Sequence, residues 1–295
     1  MQKRINESSQ RKRFKNNIHL ERYKEVFGMS INVNKILRNN KSLLLACDQG
    51  LEHGPKDFNN KNIDPKYIFD IALEGNYDGV IVQNGLAEKY YGSYYREIPL
   101  IVKLNGKTNL TSNVISRQLC SVERAIKLGA SAVGYTIFVG SPMEPEILHE
   151  FSKIVESAHD YGVPVIGWMY ARGPTVKNEL DKDILAYGAR MGLELGADFL
   201  KLKYNNDPES YRWVVKCAGR SRVLVSGGDK IEELAFLKEA EEVMKLGVTG
   251  MAIGRNIWQH DKPLALTAAL QKIIHEGKSA QEAIKLYEDL SKKEK

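Results

Sequence analysis

The feature that most constrains the fold is a series of short apolar segments separated by longer amphipathic stretches, beginning near residue 43. This alternation predicts a parallel sheet whose strands are joined by helices. The intervals 183–195 and 231–246 have the helical period. Eight segments qualify as strands, which favours a closed barrel: 43–47, 79–83, 100–104, 132–136, 163–168, 199–203, 222–226 and 250–254.

A Leu-Gly-Ala or Leu-Gly-Val step precedes three of these strands, with glycine at Gly129, Gly196 and Gly247. Glycine caps a helix C-terminus in the left-handed conformation, so the step indicates a repeated helix-to-strand loop. An open doubly wound sheet is the alternative, but the first strand-to-helix turn lacks the GxGxxG pattern of that fold. We therefore expect an α/β structure of the (β/α)₈ or TIM-barrel type.

The length of 295 residues fits one barrel with extensions at both ends. Residues 18–39 and 280–290 fall outside the eight units, so we predict N-terminal and C-terminal helical extensions that cover the barrel bottom or mediate subunit contacts. Residues 18–295 are expected to form a single barrel domain.

The net charge of +6 is concentrated near the N-terminus, where six cations face one acidic residue within the first fifteen positions. We interpret residues 1–17 as a basic, disordered tail; contact with nucleic acid is the less favoured alternative. The tail lacks the apolar stretch of a secretory signal, and nowhere is there an apolar run as long as a membrane span needs. The expected location is the cytoplasm, with no membrane partner.

The cysteines and histidines do not show metal-ligand spacing. Cys47, Cys120 and Cys217 are far apart in sequence, and the six histidines contain no HExxH pair. These patterns argue against a disulfide framework and a zinc site, so we predict no metal and no bound cofactor.

Two lysines occupy a segment that should be an apolar strand. Alternation in residues 199–203 directs Leu200 and Leu202 toward the helices, and Lys201 and Lys203 toward the barrel axis. Lysine is seldom buried unpaired, although inward salt bridges are the structural alternative. A second cation and partial desolvation lower the pKa of a lysine, which leaves a neutral amine able to attack a ketone.

Other polar groups follow the first and fifth predicted strands. Trp168 and Tyr170 share parity, and the Gly-Pro turn after them places the Tyr170 phenol at the strand end, where it can exchange protons. Asp48, Glu52 and His53 stand within six residues. Such density in a turn favours function over structure, with Asp48 suited to proton transfer and His53 to binding a hydroxyl.

Glycine-rich loops follow the seventh and eighth predicted strands. These are the loops in which barrels most often bind phosphate, through backbone N–H groups that glycine leaves uncrowded. Arg255 adds a charge-assisted contact. The residues concerned are Ser226, Gly227, Gly228, Gly254 and Arg255.

Together these segments resemble the archaeal-type class I fructose-bisphosphate aldolases, from about residue 43 to residue 258. The matching motifs, in chain order, are Asp-x-Gly-x-Glu-His-Gly-Pro at 48–55, Tyr-x-Arg-Gly at 170–173, Gly-Ala-Asp-x-x-Lys-x-Lys-Tyr at 196–204, Ser-Gly-Gly at 226–228 and Gly-Arg-Asn at 254–256. The resemblance implies a metal-independent lyase that cleaves fructose 1,6-bisphosphate through a Schiff base, and also catalyses the reverse condensation.

The resemblance also implies roles for individual residues. Lys201 is then the Schiff-base lysine, Lys203 its activating neighbour and Tyr170 the general acid/base, while Asp48 and His53 are the polar pair around the iminium and the sugar hydroxyls. Trp168 lines the site, and Arg172 is the candidate for the other substrate end. The loops ending in Gly228 and Arg255 match the phosphate-binding loops of the dihydroxyacetone end. Ala171 stands where the family often has proline, so the preference for the second substrate is in doubt.

Three rival interpretations remain open. An aminodeoxyheptulosonate synthase of the aromatic pathway shares the lysine and the tyrosine, although the Glu-His-Gly-Pro stretch and Trp168 favour the sugar aldolase. A phosphate-binding isomerase would use carboxylates instead of the inward lysines. A nucleic-acid binder would rest on the tail alone. The expected partners are a phosphorylated sugar and, as the resemblance implies, further copies of the chain in a homo-oligomer.

Overall fold

A computed structural model describes residues 29–48 and 50–294. Its eight parallel strands form a closed barrel in which each strand pairs with its neighbours in chain order and the eighth pairs with the first. The barrel predicted from the sequence is therefore confirmed. The strands are β1 Ser42–Cys47, β2 Gly79–Gln83, β3 Leu100–Lys103, β4 Ala130–Val139, β5 Val165–Ala171, β6 Phe199–Leu202, β7 Arg222–Ser226 and β8 Gly250–Ile253.

Helices follow each strand and surround the barrel. They are α1 Lys66–Glu74, α2 Asn84–Tyr90, α3 Val122–Lys127, α4 Glu144–Asp160, α5 Lys182–Glu194, α6 Pro208–Cys217, α7 Glu233–Lys245, α8 Pro263–Ile274 and α9 Ala280–Ser291. Short helical turns occupy Gly50–His53 and Gly54–Asp57 after β1, and Arg255–Trp258 after β8. The β3–α3 connection contains a two-residue antiparallel ladder, Asn105–Gly106 with Arg117–Gln118.

Strand alternation divides the apolar residues between two cores. Leu200 and Leu202 pack into the layer between strands and helices, as their parity predicted. The residues that fill the barrel interior come from alternate positions: Leu44, Ala46, Ile81, Ile101, Ala132, Ile166, Trp168, Phe199, Leu224 and Ala252. Polar residues at interior parity near the strand ends therefore face a common space at one end of the barrel.

The three Leu-Gly steps adopt the predicted cap. Gly129, Gly196 and Gly247 each have φ of +89°. This left-handed conformation ends α3, α5 and α7 and turns the chain into the next strand. An L-residue at these positions would be strained.

The two predicted extensions pack in different places. Residues 29–35 are helical, and Val33 and Ile36 contact the interior cluster, so the described part of this extension covers the barrel bottom. Helix α9 instead packs against α7 and α8 on the flank, with Ala280 and Ala283 buried. The predicted tail, 1–17, and residues 18–28 of the extension lie outside the described residues. Across 29–48 and 50–294, no helix combines the length and apolarity that crossing a bilayer requires.

Candidate active site

A cavity opens at the carboxyl ends of the barrel strands, and it contains every residue that the sequence indicated for the site. The lining also includes Ala46, Glu52, Thr136 and Ala252. Residues far apart in sequence meet here because the parallel strands all end at the same rim. The indicated residues that line the cavity are Asp48, His53, Trp168, Tyr170, Arg172, Lys201, Lys203, Ser226, Gly227, Gly228, Gly254 and Arg255.

Lys201 projects from β6 into the base of the cavity. Its side chain is almost fully buried, and Nζ lies 5.1 Å from the centroid of the Trp168 ring. Burial lowers the pKa of Lys201; the Lys103 and Arg255 cations lower it further, whereas the Asp48 and Glu52 carboxylates raise it. A lysine with a lowered pKa has a larger neutral fraction, and the neutral amine is the nucleophilic form.

Lys103 is a buried lysine close to the cavity that the sequence reasoning missed. It ends β3 at interior parity and is 1% exposed, with Nζ 5.5 Å from the Trp168 centroid and 4.0 Å from Oδ2 of Asp48. Its ammonium donates a hydrogen bond to the carbonyl of Asn105 at 3.2 Å. Burial lowers the pKa of Lys103 as well. The signal was available, since this lysine also interrupts an apolar strand at inward parity.

Lys203 lies just after β6 ends, where it lines the rim of the cavity. Its Nζ lies 2.6 Å from Oε1 of Glu179, on the β5–α5 connection, and the side chain is 30% exposed. Lys103 is among the cations that lower the pKa of Lys201. The activating role expected for Lys203 stays a prediction. Because this residue follows the strand end, its ammonium pairs with a loop carboxylate at the rim.

The turn after β1 carries a group of titratable side chains. Asp48 immediately follows the strand and faces Lys103. His53 lies 2.7 Å, Nδ1 to Oδ2, from Asp57, a contact that orients its ring. The carbonyl of Glu52 accepts a hydrogen bond from the backbone of Asn109, which ties this turn to the β3–α3 connection.

Strand β5 contributes the aromatic side of the cavity. Trp168 is buried, and its Nε1 has no hydrogen-bond partner among the described residues. Burial raises the pKa of Tyr170; the carboxylates of Asp48 and Glu52 raise it further, and Arg172 and Arg255 oppose them. A tyrosine phenol is protonated at neutral pH at its ordinary pKa of 10.0, and the raised pKa keeps it protonated to higher pH.

Arg172 follows β5 at the cavity rim. Its Cζ lies 5.2 Å from the Phe138 ring centroid and 6.0 Å from that of Tyr170. The next residue, Gly173, crosses the backbone of Gly140 so closely that a Cβ would lie 1.7 Å from the Gly140 carbonyl oxygen. This backbone crossing holds the start of the β5–α5 connection, and with it Arg172.

The glycines of the two predicted phosphate loops serve different purposes. Gly228 has φ of +63° and open space beside its Cα, as an exposed anion-binding turn requires. A Cβ at Gly227 would lie 2.9 Å from Cγ2 of Ile253, and one at Gly254 would lie 2.7 Å from the carbonyl oxygen of Ala46. These two glycines therefore permit close packing of the β7 and β8 ends. Arg255 spans both loops, with its guanidinium 2.6 Å from Oδ1 of Asp229.

Over the described residues, no group of three or more His, Cys, Asp or Glu side chains is arranged to hold a metal ion. The nucleophilic and acid–base groups of the cavity are the lysines, the tyrosine and the carboxylates described above.

Comparison with known proteins agrees with this geometry. Residues 42–260 match the DeoC/LacD family aldolases. A class 1 fructose-bisphosphate aldolase of Thermoproteus tenax is 46% identical over 251 residues, which are 84% of this chain and 94% of that protein.

Two solved structures extend the comparison. An archaeal fructose-1,6-bisphosphate aldolase, with its catalytic lysine covalently bound to the carbinolamine intermediate of the substrate, matches with a TM-score of 0.80 and 44% identity, covering 84% of this chain and 99% of that one. A fructose-bisphosphate aldolase of Slackia heliotrinireducens matches with a TM-score of 0.85 and 30% identity, covering 90% and 91%. The chain therefore belongs to the DeoC/LacD family of aldolases, in which its relatives are class 1 fructose-bisphosphate aldolases.

Proposed function

We propose that this chain is a class I aldolase that cleaves fructose 1,6-bisphosphate to dihydroxyacetone phosphate and glyceraldehyde 3-phosphate, and catalyses the reverse condensation. The observation that carries the proposal is a buried lysine of lowered pKa, Lys201, in a cavity whose rim bears two glycine-rich loops and Arg255. The names of the relatives support the same substrate.

In the first step, the neutral amine of Lys201 attacks the ketone carbon of the sugar to give a carbinolamine. Loss of water leaves an iminium, whose positive charge attracts electrons from the neighbouring carbon–carbon bond. The positive charge of Lys103 lowers the pKa of Lys201 and so increases the fraction of neutral amine before attack. The Asp48 carboxylate, close to both lysines, is the group that exchanges protons while the carbinolamine loses water.

In the second step, the bond between the third and fourth sugar carbons breaks. The hydroxyl on the fourth carbon loses its proton to the Asp48 carboxylate, the aldehyde leaves, and the bonding electrons form an enamine on Lys201. The Tyr170 phenol then protonates the enamine carbon and regains a proton from Asp48. Hydrolysis of the resulting iminium releases dihydroxyacetone phosphate and regenerates the amine.

The two phosphates bind at different parts of the rim in this proposal. Backbone N–H groups of Ser226, Gly227 and Gly228, with Arg255, bind the phosphate of the dihydroxyacetone end. Arg172 and Lys203 lie beside β5 and β6 and are the cations proposed for the other phosphate. His53 and Trp168 are proposed to contact the sugar hydroxyls and the body of the substrate.

Borohydride trapping tests the proposal directly. The protein is mixed with fructose 1,6-bisphosphate, reduced with borohydride, digested and analysed by mass spectrometry. We expect a three-carbon phosphate adduct on Lys201, because reduction converts the iminium to a stable secondary amine. Lys201→Met should abolish the adduct, whereas Lys216→Met, which alters an exposed lysine on α6, should leave it intact.

Absence of an adduct, with full activity after borohydride, would contradict the lysine mechanism and favour a phosphate-binding isomerase. The aminodeoxyheptulosonate synthase alternative shares Schiff-base chemistry, so trapping alone does not separate the two. Cleavage of fructose 1,6-bisphosphate, measured by coupled detection of glyceraldehyde 3-phosphate, does. The class 1 aldolase relatives favour the sugar aldolase over this alternative.

We further propose a cytoplasmic location and a homo-oligomeric state. Doubly phosphorylated sugars do not cross bilayers unaided, which favours an enzyme in the same compartment. Exposed aromatic side chains favour association: Tyr187 on α5 is 62% exposed and Trp213 on α6 is 54% exposed. Sedimentation velocity of the wild type and Trp213→Glu would test this state, since the charge should dissociate an interface containing Trp213.

A further inference from the structure

Asn256 is a buried amide between the two proposed phosphate loops. It belongs to the helical turn Arg255–Trp258 after β8 and is 2% exposed. Its Nδ2 donates to the carbonyl of Gly227 at 2.6 Å and to that of Asp229 at 2.9 Å. Its Oδ1 accepts from the backbone N–H of Ile231 at 3.0 Å. All three hydrogen bonds reach the β7 loop.

These contacts bind the β7 loop on both sides of Gly228. A carbonyl oxygen carries partial negative charge and repels phosphate, whereas a backbone N–H attracts it. The Asn256 amide donates hydrogen bonds to the carbonyls of Gly227 and Asp229. The loop is thereby held in one conformation, in which these two carbonyls are bound to protein rather than available to oppose an anion.

The neighbouring residue, Arg255, contacts the same loop from the cavity side. Its guanidinium donates to the carbonyl of Gly228 at 3.2 Å and pairs with the Asp229 carboxylate. Arg255 and Asn256 together bind three consecutive residues of the β7 loop. The position of the Arg255 charge relative to the loop backbone therefore depends on the amide of Asn256.

The turn itself is anchored independently of Asn256. Nε1 of Trp258 donates to the carbonyl of Ala46 on β1 at 3.0 Å, and Trp258 is buried. Gln259 donates to the carbonyl of Asp57 at 3.0 Å. Loss of the Asn256 amide should therefore release the β7 loop while the turn stays attached to the barrel.

We propose that Asn256 is a positioning residue for phosphate recognition, joining the β7 and β8 loops into one rigid cradle without touching the substrate. The inference rests on the proposed function and deepens it: the cradle selects three-carbon ketones that carry a phosphate over those that do not. Its main effect is on phosphate recognition rather than on the amine chemistry of Lys201.

The test compares Schiff-base trapping of dihydroxyacetone phosphate and dihydroxyacetone, which differ only in the phosphate. Asn256→Leu keeps the approximate size of the side chain and removes all three hydrogen bonds. Asn32→Leu is the matched control, since it removes an amide that donates to the carbonyl of Gly162 at the other end of the barrel, away from the cradle. Concentrations for half-maximal borohydride trapping on Lys201 are measured for both ketones.

For Asn256→Leu we expect the half-maximal concentration of dihydroxyacetone phosphate to rise about tenfold, the effect of losing roughly 1.4 kcal/mol of hydrogen bonding. The value for dihydroxyacetone should stay within about twofold of wild type, because this ketone has no phosphate for the cradle to bind, and burial and the Asp48 and Lys103 charges act on the pKa of Lys201 more strongly than the Arg255 charge does. Asn32→Leu should leave the preference for the phosphorylated ketone at its wild-type value. Competitive inhibition by inorganic phosphate should weaken in parallel in Asn256→Leu alone.

Equal losses for the two ketones, or no change for either, would overturn the proposal. Should Asn256→Leu fail to fold, judged by circular dichroism, Asn256→Asp takes its place, because it keeps the acceptor for Ile231 and loses both donors. The same criterion applies to it. If the wild-type protein traps neither ketone, the proposed function itself fails, and that result is distinct from failure of the role of Asn256.

Discussion

Gly134 on β4 leaves the space that the indole of Trp168 on β5 occupies. A Cβ at position 134 would lie 2.1 Å from Cζ3 of Trp168. Because the indole is buried and lies beside Lys201, the size of residue 134 bears on the surroundings of the nucleophile. We expect Gly134→Ala to displace Trp168, destabilise the fold by about 1–3 kcal/mol through overpacking, and lower kcat/KM for fructose 1,6-bisphosphate.

Chemical denaturation and tryptophan fluorescence measure this displacement. The control is Gly188→Ala in α5, where a Cβ would meet its nearest neighbour at an ordinary 3.5 Å. Alanine in a helix interior is favoured over glycine by about 0.5–1 kcal/mol, so this variant should be as stable as wild type or more so. Equal stability and equal tryptophan fluorescence in Gly134→Ala and Gly188→Ala would contradict the packing role assigned to Gly134.

Replacement of Lys103 should change the pH dependence of kcat/KM. Burial lowers the pKa of Lys201, and the Lys103 cation adds to the effect. Lys103→Met removes that cation, so the pKa of Lys201 rises and a higher pH is needed to produce the neutral amine. We expect the acid limb of kcat/KM to move to higher pH, with a smaller displacement in Lys103→Arg. An unchanged pH profile in the methionine variant would refute the assignment.

Lys103→Met should also be more stable than the wild type at neutral pH. The pKa of Lys103 is lowered in the folded state, so the unfolded chain binds more protons. Wild-type stability therefore rises as pH increases from the folded pKa of this lysine toward its ordinary value of 10.5. Lys103→Met has no buried ammonium, so its free energy of unfolding should change less with pH. Urea denaturation at several pH values between neutral and 10 measures the difference in slope.

Tyr170→Phe should block turnover after the Schiff base has formed. The raised pKa of Tyr170 keeps the phenol protonated, and phenylalanine retains the ring but has no proton to donate. Loss of a general acid lowers kcat by about 10²–10⁴-fold. Borohydride should still trap an adduct on Lys201, since the amine is untouched. A variant that turns over at the wild-type rate would exclude this tyrosine as the proton donor.

Glu179→Gln should alter selection between substrates with one and two phosphates. The carboxylate pairs with Lys203 at the rim, where both side chains are about a third or more exposed, so the pair is worth less than about 1 kcal/mol. Removing it leaves the ammonium free for the second phosphate. We expect KM for fructose 1,6-bisphosphate to fall up to about fivefold relative to fructose 1-phosphate, within that energy.

Glu194→Gln is the matched control for this experiment. Glu194 pairs with Arg190 at 2.7 Å on the exposed face of α5, so its removal should leave the ratio of the two KM values unchanged. A rise in the ratio of KM for fructose 1,6-bisphosphate to KM for fructose 1-phosphate in Glu179→Gln would mean that the pair holds Lys203 in place for the phosphate rather than competing with it.

Much of the barrel and most of the cavity could be predicted from the sequence because both depend on local patterns. Eight apolar segments, the Leu-Gly caps at Gly129, Gly196 and Gly247, and polar residues at strand ends are each visible within a few positions. Strand ends were less predictable. The segment predicted as 132–136 is strand β4, Ala130–Val139, because its length depends on pairing with β3 and β5 on either side.

Residue pairing across strands was decided by the tertiary structure alone. The sequence placed Lys203 two positions from Lys201 and indicated that it was the neighbouring cation, but the strand ends at Leu202 and Lys203 pairs with Glu179. Lys103, nearly a hundred positions away, lies over the same Trp168 ring as Lys201. Alternation along one strand determines which way a side chain points, whereas the curvature of a closed sheet determines which side chains then meet.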